Sequence, residues 1–224
     1  MALLPSEQIL LIESASGPWC LPMFLELSAA TGARRGEVLA LRWADIDGCD
    51  LVITRSLTQI RQTLEFKGTK TDRPRRVNLP QSVMTSLEAY RRSQDQFRRQ
   101  FGPDYRTDLD LIFANPDGTP LKPDSVSASV SLLFRRLGLP KGVSLHTLRH
   151  SHGSVLLADG VDLATVSERL GHSSVRVTAD IFRMLYADAT RTPPSIGATS
   201  CGGMADRVMD RSQGVRIRFS HFGA

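Results

Sequence analysis

Three separated stretches of this 224-residue chain carry residue types that share one chemistry. The first, TGARRGEVLALRW over 31–43, sets Arg34 just past a helix-ending glycine, with Glu37 one turn further on. The second, KGTKTDRPRRVNLP over 67–80, puts Lys70 in a turn between basic strands. The third, LHTLRHSHGSVLLADGVDLATVSERLGHSS over 145–174, spaces His146 and Arg149 three apart and sets His172 after a Leu-Gly break. Three apart is one helical face. Two arginines, a lysine and two histidines are an odd set to bury without an anion. Brought together, they suit a pentavalent phosphoryl transition state: the arginines neutralise non-bridging oxygens, while His and Lys move protons. With no Walker loop and no acidic metal cluster, the expected transfer uses no metal and no cofactor. It then requires a covalent nucleophile from the protein itself.

Each of these residues also has a plainer reading. Arg34 can pair with Glu37 across one turn, an interaction worth only a few tenths of a kcal/mol. His146 and His150 stand i, i+4 with His152 beyond, but no Glu follows His146 as in a zinc-protease helix. Arg149 between them repels a cation, so no metal site is expected. His172 can cap a helix. Lys67 lies close enough to exchange roles with Lys70 after a register error.

The elements that must position these groups follow from periodicity. Ser6 is expected to cap a first helix running to about Ala15, with Leu10, Leu11 and Ile12 inward. A second helix spans Pro18 to Ala30 and stops at Thr31-Gly32. A third starts near Ala33 and carries Val38, Leu39, Leu41 and Trp43 to the core. Strand patterns follow at Leu51–Ile60, Thr63–Phe66 and Arg75–Leu79, with a turn over Gly68–Pro74. Helical spacing resumes after Pro80 and runs into RRSQDQFRRQ, where Arg91, Arg92, Arg98 and Arg99 read as a solvated face. LIFANPDGTPL reads as a short strand and a turn at Asp117-Gly118. Helices are then expected from Asp124, from His146 to Ala158, from Leu163 to Leu170 and from Val175 to Ala187. Residues 188–224 read as a poorly ordered tail, and its arginines Arg207, Arg211, Arg216 and Arg218 have no assigned role. The fold class is α+β, mainly α, with one small three-stranded antiparallel sheet.

Composition narrows the partner. Charged residues make up 23% and hydrophobic ones 41%, a globular balance. No apolar run reaches the ~18 residues of a membrane helix. Three cysteines without ligand spacing argue for a reducing compartment, and the expected location is the cytoplasm. Net charge is +5, and of 28 basic residues 24 are arginine. Arginine's planar fork binds phosphate bidentately, which suits a nucleic-acid partner, although high-GC codon usage also enriches arginine. Arg73, Arg75 and Arg76 are the candidates for backbone phosphates, because a hairpin beside the site can reach them.

The three stretches closely resemble the catalytic domain of the tyrosine recombinase (phage integrase) family. TGARRGEVLALRW is similar to that family's first-arginine box, implying Arg34 as a catalytic arginine. LHTLRH resembles its His-x-x-Arg box, implying His146 and Arg149, and LGHSS its third box, implying His172. GTKTDRPRR resembles its hairpin-lysine segment, implying Lys70, with Thr69 where a proline often stands. The likeness covers about residues 1 to 187 in the family's order. It implies a mostly helical domain with a three-stranded sheet that clamps one face of duplex DNA, and an N-terminal core-binding domain absent from this chain. In such a domain Arg34 and Arg149 stabilise charge on the scissile phosphate, and Lys70 protonates the leaving 5′ oxygen. His146 acts as acid/base or hydrogen-bond donor, and His172 adds a phosphate hydrogen bond. Family members work with other recombinase subunits on DNA; this chain in isolation is expected to be a monomer. A type IB topoisomerase-like enzyme is a more distant alternative.

One departure bears on activity. The family sets its nucleophilic tyrosine in a T-x-D-x-Y stretch, and here the stretch is Thr178-Ala179-Asp180-Ile181-Phe182. Phenylalanine has no hydroxyl to attack phosphorus, and Met184 stands where a histidine is common. Phe182 fits a deliberate substitution, a decayed copy acting as a non-catalytic DNA-binding remnant, or replacement by Tyr186 four residues on. The last requires the helix to slide ~6 Å at 1.5 Å per residue. The expectation is a DNA-binding recombinase domain with strand cleavage abolished or severely reduced.

Overall fold

The computed structural model describes residues 3–15, 19–69 and 74–189, apart from the side chains of Pro5 and 184–189. Local chemistry starts the helices. In α1 (Pro5–Glu13), proline takes the first helical position, and the Leu4 N–H donates to Glu7 Oε2 at 2.7 Å. Ser6, expected as the cap, therefore lies inside the first turn. Leu11 is fully buried, whereas Leu10 is 51% exposed, because successive helical residues turn by about 100°. Helix α2 (Leu21–Thr31) buries Leu21, Phe24, Leu25 and Leu27 and ends at Gly32. A short α3 (Arg35–Leu39) begins where the Arg34 N–H donates to Glu37 Oε2 at 2.8 Å. Val38, Leu39, Leu41 and Trp43 all face the core, as their spacing predicts.

The strand region divides. β1 (Ile46–Asp47), β2 (Asp50–Ile53) and β5 (Arg75–Asn78) form the three-stranded antiparallel sheet, in order β1-β2-β5. β3 (Arg55–Ile60) and β4 (Thr63–Gly68) pair only with each other, so the run expected to be one strand over 51–60 breaks at Thr54. Leu51 opposite Val77 and Ile53 opposite Arg75 set the register by which β5 enters the interior. The 111–120 segment makes only isolated bridges, Arg42 with Leu111 and Ala114 with Pro120, around a turn at Gly118.

Helices α4 (Gln81–Phe101), α5 (Pro123–Arg136), α6 (Leu145–Ala158), α7 (Leu163–Leu170) and α8 (Val175–Ala189) follow. One apolar core joins α2, α3, β2, β5, α4 and α5, with Phe24 edge-on to Phe113 at 5.5 Å. Burying each such side chain stabilises the fold by about 1.5–3 kcal/mol. A second, smaller cluster of Val166, Leu170 and Phe182 fastens α8 to α7. Arg91, Arg92 and Arg99 are exposed, as a solvated face requires, with Arg91 lying over the Trp43 ring, whereas Arg98 is partly buried and pairs with Asp110. Among the described residues, no helix is long and apolar enough to cross a membrane. Of the expected tail, residues 190–224 lie outside the described residues.

Candidate active site

The last carbonyls of any α-helix lack intrahelical partners and carry the negative end of the helix dipole. At the end of α7 three arginines from three distant segments satisfy three consecutive carbonyls. Arg75 Nε, from β5, donates to the Arg169 carbonyl at 3.0 Å. Arg149 Nη2, from α6, donates to the Leu170 carbonyl at 2.5 Å, and its Nη1 to the Gly32 carbonyl at 2.8 Å. Arg34 Nη2, from the α2–α3 junction, donates to the Gly171 carbonyl at 2.9 Å. Gly171 adopts φ 67°, a left-handed conformation natural to glycine at a helix end. A Cβ there would stand 2.9 Å from Arg75 Nη1. The Leu-Gly break thus ends the helix and also makes room for a guanidinium.

One buried carboxylate faces this cationic group. Glu37 Oε1 accepts from Arg34 Nη1 at 2.8 Å and Arg75 Nη1 at 3.2 Å. Its Oε2 accepts from Arg75 Nη2 at 2.5 Å and from the Arg34 backbone N–H. Burial pushes the Glu37 carboxyl up, but hydrogen bonds and charge from Arg75, then Arg34, outweigh it and hold it below the usual range. Among the described residues, these three guanidiniums against one carboxylate leave an excess of two positive charges. Burial, then the charge of Arg34, push the Arg149 guanidinium down to about 9, so it stays cationic at neutral pH. Among the described residues, Arg34 uses two of a guanidinium's five N–H donors and leaves three for a ligand.

The histidines stand beside the arginines, and burial lowers the pKa of each. His146, in the first turn of α6, lines a cavity of about 450 Å³ with Arg34, Arg149, Ser56 and Ser144. Burial, then Arg149 and Arg34, lower its pKa. The same three causes bring His172 down to about 4. His172 Nδ1 lies 2.7 Å from Oγ1 of the fully buried Thr178. When Thr178 donates, the ring hydrogen is on Nε2, where it can be given to an anion. His150 stacks edge-on to His146 at 4.7 Å. His152 turns away from both: its Nε2 accepts from Arg169 Nε at 3.1 Å.

Of the residues singled out by sequence, Arg34, His146, Arg149 and His172 therefore converge on one region. Lys70 and Arg73 lie outside the described residues. Arg76 is exposed and pairs with Asp47 at 2.9 Å. Arg75 departs from its expected outward role: its side chain is 6% exposed and its fork is spent on Glu37. Strand alternation explains the difference, since neighbours on β5 face opposite sides. Phe182 is 3% exposed and packs on Val166 and Leu170, and the Tyr186 side chain lies outside the described residues. Sequence reasoning missed Arg75 as a partner of Glu37, and Thr178 as a partner of His172. The Glu at the third helical position after Arg34 was a usable signal for Glu37. Nothing local announces a partner 38 residues away.

Known proteins share this arrangement of elements. The chain is 31% identical over 189 residues to the ICEBs1 integrase of Bacillus subtilis, covering 83% of this chain and 48% of that protein. It is 34% identical over 169 residues to tyrosine recombinase XerD of Mycobacterium tuberculosis, covering 75% of this chain and 48% of the relative. It spans about half the length of the curated relatives it matches. Among solved structures it resembles the Tn1549 transposon integrase in complex with transposon right end DNA, with TM-score 0.69 and 16% identity over 85% of this chain and 65% of that one. XerA recombinase matches with TM-score 0.64 and 23% identity, over 84% and 65%. Likeness at that identity establishes the tyrosine recombinase catalytic fold. Residues 7–188 match the model of the phage integrase family, and to that family this chain belongs.

Proposed function

We propose that this domain grips a phosphodiester of duplex DNA in the manner of a site-specific recombinase and, with phenylalanine at position 182, does so without forming a covalent link. The observation that carries the reading is the excess of guanidinium over carboxylate at the end of α7, beside His146 and His172. A phosphodiester brings one negative charge and its pentavalent transition state two, which matches that excess. Arg34 and Arg149 take the non-bridging oxygens, and charge-assisted bonds of this kind are about twice as strong as neutral ones. His146 and His172 donate as neutral imidazoles. Lys70, by family resemblance, protonates the leaving 5′ oxygen in a chain that has its nucleophile. The DNA present with the Tn1549 integrase supports duplex DNA as the ligand class.

The test is equilibrium binding to a random-sequence duplex across a salt series. Log affinity is expected to fall steeply with log salt, by about 0.9 for each phosphate neutralised. Arg34→Ala and Arg149→Ala weaken binding across all sequences. A flat salt dependence overturns the reading. A covalent protein–DNA adduct formed by the unaltered chain on nicked duplexes overturns its non-covalent part, and an adduct mapped to Tyr186 identifies the replacement nucleophile.

A further inference from the structure

We infer that Arg75 is a positioning residue that keeps Arg34 electrically available to phosphate by neutralising Glu37; the inference rests on the phosphate-binding reading of the site. Glu37 is 1% exposed and lies 2.8 Å from Arg34, so as an isolated pair the two cancel. An Arg34 so cancelled has little charge to offer a ligand. Arg75 changes that balance. Its two Nη groups grip both carboxylate oxygens, at 3.2 and 2.5 Å, and hold the carboxylate plane. Bidentate pairing of this kind is the strongest a carboxylate makes. Its Nε meanwhile ties to the Arg169 carbonyl, one residue before the carbonyl that Arg149 holds and two before the one that Arg34 holds. Arg75 thus fixes Glu37 relative to the same helix end that aims Arg34 and Arg149. All three of its guanidinium nitrogens donate within the protein, to Glu37 and to the Arg169 carbonyl, so its fork is turned on the protein. The missing Cβ of Gly171 makes the room it occupies.

A direct phosphate contact and a positioning role differ in how they couple to Arg34. Duplex affinity is measured over a salt series for the unaltered chain, Arg75→Gln, Arg34→Ala, the Arg34→Ala/Arg75→Gln double variant and Arg75→Gln/Glu37→Gln. Arg75→Gln is expected to weaken binding about tenfold, the scale of one lost charge-assisted bond. Adding it to Arg34→Ala costs little more, because its effect runs through Arg34. Removing the Glu37 charge as well restores most of the affinity, which a purely structural role does not predict. Equal losses with and without Arg34, or a salt slope that drops by about 0.9 in the Arg34→Ala background, overturn the inference. Should Arg75→Gln fail to fold, Arg75→Lys, which keeps the charge and loses the fork, is put through the same comparison. Absent salt-dependent binding by the unaltered chain, or indifference to Arg34→Ala, defeats the phosphate reading itself.

Discussion

The tip of the Phe182 ring rests against Gly153: a Cβ on that glycine would overlap Phe182 Cζ and stand 3.1 Å from Leu170 Cδ1. Glycine in mid-α6 is the concession that lets α8 pack so closely. Gly153→Ala is therefore expected to destabilise the domain by about 1–3 kcal/mol, the usual range for overpacking, and to loosen α8 first. Denaturant melts give the magnitude, and amide exchange along α8 shows where it falls. Cζ is also the atom that carries a tyrosine hydroxyl. Phe182→Tyr is expected to destabilise this packing by a similar amount, and to form an adduct with DNA only if α8 moves its ring away from Gly153.

Glu37 balances the buried Arg75 and the partly exposed Arg34, so its neutral isostere leaves Arg75 uncompensated at 6% exposure. Glu37→Gln is expected to lower stability by about 3–5 kcal/mol, as for other buried pairs that lose one partner. Urea unfolding measures it. A loss below about 1 kcal/mol, the level of an exposed pair, contradicts the buried network described above.

Acid should weaken the fold before ordinary carboxylates titrate. Burial, followed by Arg169 for His152 and by Arg149 and Arg34 for His172, brings each ring down to about 4. Burial and His146 do the same for His150. An unfolded histidine titrates near 6.5. Between about 6.5 and 4 the unfolded chain binds more protons than the folded one, so stability falls as pH falls and levels off below that window as far as these groups are concerned. Glu37, held low, adds its own loss at still more acid pH. Thermal melts at pH 7, 6 and 5 should show a steady decline. His152→Gln should make the decline shallower by about one part in three, since a protonated His152 opposes the Arg169 N–H it now accepts, while His150 and His172 still contribute.

Thr178 is fully buried and within hydrogen-bond distance of His172 Nδ1. Thr178→Val keeps the shape and removes the hydroxyl. The expected result is a mixed His172 tautomer by imidazole ¹⁵N spectra, together with a loss of about tenfold or less in duplex affinity, the scale of one typical net hydrogen bond. An unchanged tautomer shows that the ring is oriented by something other than Thr178.

Much of this protein is legible along the chain because its determinants are local. Gly32 and Gly171 mark helix boundaries, the 3.6 period marks α2, α4, α5 and α6, and three-residue spacing puts His146 and Arg149 on one face. Residue type alone shows that position 182 lacks a hydroxyl. What the chain order could not decide is pairing across space. Arg75 and Arg76 are neighbours with the same charge, yet one is clamped inside on Glu37 and the other pairs with Asp47 at the surface. That choice depends on which face of β5 meets the core, set by the register of β5 on β2. The gathering of Arg34, Arg75 and Arg149 on three consecutive carbonyls likewise arises only when four elements meet at the end of α7. Propensity and periodicity act over one or two turns, whereas the charge balance at a site is settled by burial, where each unpaired ion or carbonyl must find a partner from wherever the fold brings one.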